Sequence, residues 1–163
     1  MLLVVNFGFS QEKIPFIDYN EILQEINKEE SSEKKLVLIN KISKNDSAYY
    51  PLLVSKSYHL LQIEKYEEAL NVANEGLDDI HEHSKANYYV NKGVALTNLK
   101  RDYEALENYL KGIQIYPKNY LLWSNKASVL ERQGKLNEAV NAYKIAINLN
   151  PTYTKPHLQI GNI

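Results

Sequence analysis

The sequence predicts an all-α solenoid, built of helix pairs stacked side by side, and three observations predict it. The first is periodicity. Trp123, Ala127 and Leu130 fall at i, i+4 and i+7, which is one face of a helix. Leu136, Ala139, Val140, Tyr143, Ala146 and Ile147 then form a wide apolar stripe, suited to a helix that packs on two sides. Gly134 interrupts the pattern between the two, and Pro151 ends the second helix because it cannot donate a backbone hydrogen bond and disfavours helix in the residue before it. The second observation is recurrence. Ala139 matches Ala105, thirty-four residues earlier, and Ala69, thirty-six before that. In the same register Leu130 matches Leu96 and Leu60, and Trp123 matches Tyr89 and Leu53. The third is an ordering of sizes. Small residues recur in register where helices must approach closely (Ala127, Gly93 and Ser57; Ala146, Gly112 and Gly76), and bulky ones recur where a gap must be filled. Trp123 is expected to fill the third helix pair.

A helical period near thirty-four residues with this size pattern resembles the tetratricopeptide repeat, over roughly residues 50 to 163. The resemblance implies a right-handed superhelical solenoid of antiparallel helix pairs. It also implies that the first helices of successive repeats line a concave groove. One such scaffold serves many partners, so the fold does not name a ligand.

In chain order, residues 1–10 (Met-Leu-Leu-Val-Val-Asn-Phe-Gly-Phe-Ser) form the most apolar run. They are too few to span a bilayer. Gly8 and Ser10 are the small residues signal peptidase accepts, so the segment reads as a secretory signal cleaved before Gln11, although no basic residue precedes Leu2. The alternative is an apolar segment packing on the first helices. Residues 11–47 read as a linker and a degenerate helix pair. Asp18 caps a helix to about Glu29, with Ile22, Leu23 and Ile26 on one face; Ser32 caps a second through Ile42. Lys35 and Ile42 stand where later copies have Ala69 and Gly76, so this pair should pack more loosely and cap the array. Repeat 1 covers 48–85, with helices from about Ala48 to Ile63 and Tyr66 to Ile80, and Pro51 tolerated in a first turn. Repeat 2 covers 86–119. Its Tyr103 lies one place later than Tyr66 and Leu136, which predicts a locally distorted turn. Repeat 3 covers 120–153, and 154–163 begin a fourth unit or a truncated cap. A longer protein continuing past Ile163 is expected.

Composition excludes several function classes. A net charge of −1 argues against binding nucleic acid by phosphate neutralisation. The absence of cysteine removes disulfides, thiolate metal sites and cysteine nucleophiles. No Gly-rich phosphate loop, nucleophile elbow or His-Glu-x-x-His motif is present, so no enzyme, metal or cofactor is expected. His81-Glu82-His83 reads as a solvated loop. Glu68, Glu104 and Glu138 each precede a repeat alanine and belong to the repeat pattern.

What remains is binding. Carried over residue by residue, the resemblance implies a groove lined by Val54, Tyr58, Leu61 and Gln62, then Asn87, Val90, Asn91, Val94, Thr97 and Asn98, then Leu121, Ser124, Asn125, Ser128 and Arg132. Asparagine offers a donor and an acceptor, so it can grip an extended backbone without demanding its sequence. Tyr58 and Leu121 supply apolar anchors, and Asn91 and Asn125 are expected to contact ligand without serving the fold. The slots that would hold cations in a clamp for two carboxylates carry Val54, Asn87, Leu121 and Asn125, which argues against one. Lys56, Lys92 and Lys126 recur once per repeat, and their stems are expected to pack while the ammonium groups reach solvent. The expected function is a non-catalytic scaffold holding a peptide or partner protein, exported to the periplasm or bacterial envelope. The alternatives are a cytoplasmic location, and a sensory or docking front of a longer envelope enzyme or signalling protein. Residues 1–82 carry eight basic and fifteen acidic side chains, a balance of −7, while residues 83–163 carry eleven and five, a balance of +6. This asymmetry reads as two solvated faces, and the alternative is salt-sensitive head-to-tail self-association, acidic end on basic end.

Overall fold

The computed structural model describes residues 19–43, 49–78 and 85–162. The signal segment at 1–10, the Asp18 cap, the turn at 44–47 and the His81–His83 loop lie outside them. Within the described residues the chain is helical: α1 (Tyr19–Lys28), α2 (Ser32–Ile39), α3 (Tyr49–Gln62), α4 (Tyr66–Leu77), α5 (Lys85–Asn98), α6 (Asp102–Ile115), α7 (Tyr120–Arg132), α8 (Leu136–Leu149) and α9 (Thr154–Asn162). Helices α3–α4, α5–α6 and α7–α8 pair antiparallel, each pair packs on the next, and α9 lies on α8. The architecture is the all-α solenoid of helix pairs that the periodicity predicts.

One turn is used three times. Glu64, Lys100 and Gly134 each adopt a left-handed backbone, with φ of 60°, 63° and 74°. After each, an amide reaches back over the end of the first helix: Lys65 to the Leu60 carbonyl, Arg101 to Leu96 and Lys135 to Leu130, all at 2.9 Å. This closure satisfies carbonyls that a helix end leaves unpaired. It depends on backbone alone, which is why the displaced Tyr103 does not distort the second turn. Tyr103 is 83% exposed, and Asp102 takes the position of Tyr66 and Leu136 at the start of α6.

The core follows the size pattern. Ala69, Ala105 and Ala139 are fully buried, as is Ala127, and Leu60, Leu96 and Leu130 nearly so. Where Gly76 stands, an added Cβ would overlap the ring of Tyr88 on the next helix; at Gly112 it would press on the Leu122 methyls. Tyr88, Leu122 and Pro156 occupy one register position in α5, α7 and α9, and all three are buried. Trp123 packs against the third pair's core of Ala127, Leu130, Ala139, Ala142 and Tyr143 but does not sit at its centre. It is only partly buried, its indole Nε1 donates to the Pro117 carbonyl at 2.8 Å, and the Lys126 ammonium lies 5.1 Å from its ring. Leu122, beside it, is fully buried.

The N-terminal pair has its own small core of Ile22, Ile26, Ile39 and Ile42, joined by Leu52 of α3. It packs less extensively than the repeat pairs, as Lys35 and Ile42 predict. Leu36 alone of α2 enters the main core, which also holds Leu53 and Leu60 of α3. The cap of α2 is Ser31 and not Ser32: the Ser31 hydroxyl accepts from the Lys34 amide, and the helix ends at Ile39, short of Ile42. Ser32 instead turns its hydroxyl toward His59 on α3.

Candidate functional site

Helices α3, α5 and α7 present their free faces to a groove of about 820 Å3. They can do so because each first helix uses its other faces on its partner helix and on its neighbours in the stack. Of the residues expected there, Tyr58, Gln62, Asn87, Asn91, Asn98, Leu121 and Asn125 line it, together with Val54, Leu61, Val90 and Val94. Tyr58 is half exposed and stands edge-on to His59. The Asn98 amide donates to the Val94 carbonyl at 2.9 Å, which leaves its oxygen available as an acceptor. Asn87 and Asn125 show no side-chain hydrogen bond among the described residues, so both amides are free for a ligand.

Asn91 differs. It is buried, and its Nδ2 donates to the Ser57 hydroxyl at 2.7 Å and to the Val54 carbonyl at 3.2 Å. It ties α5 to α3 and serves the scaffold, against the expectation that it could be removed without consequence. Asn91→Ala should destabilise the chain by about 1 kcal/mol, since it removes a buried bond between α5 and α3 while the Ser57 hydroxyl keeps its own bond to the Val54 carbonyl. Denaturant unfolding checks this, and an unchanged midpoint would return Asn91 to the ligand.

The lower groove residues are engaged elsewhere. Ser124 is fully buried. The Thr97 hydroxyl donates to the Gly93 carbonyl within its own helix. The Ser128 hydroxyl lies 3.0 Å from that of Tyr143, which also donates to Glu131 at 2.8 Å. Burial, first of all, pushes the Tyr143 phenol up to about 12, so it remains a donor at neutral pH. The Arg132 guanidinium donates to the Thr97 carbonyl at 3.0 Å and lies 3.2 Å from the Asp102 carboxylate. Arg132 therefore braces repeat 3 against the turn of repeat 2, and neither it nor Ser128 lines the cavity.

Five lining residues lie beyond the expected set: Pro51, Ser55, Tyr66, Tyr153 and Lys155. Tyr153 and Lys155, at the start of α9, close one end of the groove. Tyr153 is held edge-on to Tyr120 with centroids 5.0 Å apart. Lys155 falls in register with Leu121 and Asn87, so the repeat spacing itself marks it.

The three repeated lysines lie elsewhere. Lys92 faces a separate crevice with Glu104, Glu107 and Lys111, where burial, then the Lys111 charge, lowers its pKa. Glu68 and Glu104 make surface ion pairs with Lys65 and Arg101 across the first turn of their helices. Among the described residues no cluster of three or more His, Asp or Glu side chains could hold a metal ion, and no helix is long and apolar enough to cross a membrane.

Comparison with known proteins agrees with this geometry. Three family models match in overlapping frames: a TPR repeat over residues 130–163, and tetratricopeptide repeats over 108–141 and 86–119. The chain is 32% identical over 86 residues to the human DnaJ homolog subfamily C member 7. That match covers 52% of this chain and 17% of the relative, so the chain spans only a small part of it. Among solved structures, MamA from Desulfovibrio magneticus RS-1 superposes with a TM-score of 0.70 at 21% identity, covering 88% of this chain and 80% of the other. PcrH in complex with the chaperone binding region of PopB superposes at 0.63 and 17% identity, covering 74% and 98%. Residues 86–163 thus carry tetratricopeptide repeats, and the chain folds as a solenoid of that kind.

Proposed function

We propose that this protein is a non-catalytic interaction module that holds a short segment of a partner protein in the groove of α3, α5 and α7. The observation that carries the reading is the pairing of apolar anchors with free amides in one cavity. Tyr58, Val90 and Leu121 offer apolar surface, while Asn87 and Asn125 offer donors and acceptors that the protein does not itself use. An extended peptide needs both, side-chain burial for affinity and amide groups for its backbone. The walls belong to packed helices, so the receptor loses little ordering entropy on binding. The structure of PcrH with a segment of PopB gives a precedent for peptide capture by a chain of similar fold.

Stacking of copies end to end has less support. The acidic excess of the first half falls on and beside α4, at Glu64, Glu67, Glu68 and Asp78, which are exposed in the middle of the array. The end that would stack, residues 19–43, holds four lysines against five glutamates.

The test is capture of a random octapeptide library on the immobilised protein, read by mass spectrometry. The wild-type chain should retain a defined subset. Tyr58→Ala with Asn125→Ala should fold normally and bind that subset at least tenfold more weakly, about 1.4 kcal/mol or more. Retention of the same peptides by the folded variant would remove the groove as the site.

A further inference from the structure

His59 is a titratable group buried at the joint between the N-terminal helix pair and repeat 1. It is 8% exposed, and its Nδ1 lies 3.0 Å from the Ser32 hydroxyl of α2. Among the described residues, the groups that interact with the ring come from two helices. From α2 there are Ser32 and the Lys35 ammonium, and from α3 there is the Tyr58 ring, 5.2 Å away and edge-on. Of these groups, the Lys35 ammonium supplies the charge that acts on the ring. A proton on His59 would therefore place a charge in a buried site beside another charge of the same sign. The joint is also thinner than those within the repeats: among the described residues Leu36 is the only α2 side chain in the main core, Leu52 is the α3 side chain in the N-terminal core, and α2 packs on α3 less extensively than α3 on α4.

We propose that His59 makes the N-terminal helix pair an acid-released cap, docked on repeat 1 while the ring is neutral and freed from it when the ring is protonated. Burial, and then the Lys35 charge, lower the His59 pKa in the docked state, whereas in the released state the ring returns to its ordinary value. The docked state thus binds fewer protons. Its stability is complete above the released-state value of about 6.5 and falls as pH drops below it. Between pH 7.5 and pH 5.5 the release equilibrium should rise by up to about tenfold, the limit set by one ring of ordinary pKa. Release would withdraw Leu36 from the main core and part Leu52 from the N-terminal one, baring apolar surface of repeat 1.

The experiment is amide hydrogen exchange on the full chain at the two pH values, expressed as protection factors so that the intrinsic pH dependence cancels. Protection in α1 and α2 should fall by up to about tenfold at pH 5.5, while α7 and α8 keep theirs. His59→Gln, which keeps a polar side chain that cannot titrate, should remove the difference. No fall in the wild type, or the same fall in His59→Gln, overturns the proposal. Should His59→Gln loosen the cap at both pH values, the imidazole titration of the unaltered chain by NMR decides. A midpoint below 6.5 that moves upward in Lys35→Gln supports the cap, and a midpoint at or above 6.5 overturns it.

Discussion

Gly76→Ala is expected to destabilise the solenoid by about 3 kcal/mol, at the upper end of what overpacking a core usually costs. The new methyl group would occupy space already filled by the Tyr88 ring. That ring has little freedom to retreat, because it is 1% exposed and its hydroxyl donates to the Tyr50 carbonyl on α3. The seam between repeats 2 and 3 supplies an internal control. Gly112 faces Leu122 in place of a tyrosine, and an added Cβ would sit 3.1 Å from the leucine methyls and 2.9 Å from the Tyr89 Cβ. These overlaps are milder than the one with the Tyr88 ring at Gly76, and the leucine methyls can rotate although the Tyr89 Cβ cannot, so Gly112→Ala should cost less than Gly76→Ala. Tyr88→Leu combined with Gly76→Ala should be more stable than the sum of the two single losses, because the two groups contend for one space. Urea unfolding of the set measures this. Strict additivity, or a Gly76→Ala variant as stable as the parent, would mean that the α4–α5 seam is wider than described.

The second large effect is expected at Leu122. Leu122→Ala removes a fully buried side chain between repeats 2 and 3 and should cost about 3–5 kcal/mol through lost burial and the cavity left behind. Trp123→Ala should cost less, even though it deletes more atoms. Its indole lies partly at the surface, held by Pro117 and overlain by Lys126. Thermal or urea denaturation of the two variants gives the order directly. If Trp123→Ala proves the more damaging, the rotation of α7 about its axis is wrong.

These two residues also show where the sequence stops being readable. The repeat alanines, leucines and glycines were legible because close helix crossing tolerates few residue types, so the constraint is written in the side chain itself. Which of two adjacent apolar residues points inward is not written that way. Leu122 and Trp123 are separated by about 100° around the helix, and both are apolar enough to fill the gap. In the structure Leu122 fills the seam between repeats 2 and 3, while Trp123 packs at the margin of the third pair's core. Asn91 and Asn125 look alike in register for the same reason. They differ because Ser57 offers Asn91 a hydroxyl across the helix interface and the Val54 carbonyl lies within reach. That partnership joins residues thirty-four apart and is visible only once α3 and α5 are set side by side. The groove was legible at most α3 and α5 positions and at Leu121 and Asn125 of α7, but not at Pro51 and Ser55, which also line it, nor at Thr97 and Ser124, which do not. It was missed at Lys155, because the fourth unit is too short for its pattern to be read. It was overextended at Ser128 and Arg132, where Tyr143, Thr97 and Asp102 engage the polar groups.

The most direct test of the central claim, that the concave groove holds a peptide, is site-specific photocrosslinking. A benzophenone side chain is placed in turn at Gln62 and Asn98, which are exposed and line the groove, and at Tyr103, which is exposed on α6 outside it. Each protein is irradiated with the peptides captured by the wild-type chain, and adducts are located by mass spectrometry. The groove reading predicts adducts from positions 62 and 98 and none from 103. Adducts from 103 alone, or equally from all three, would contradict it.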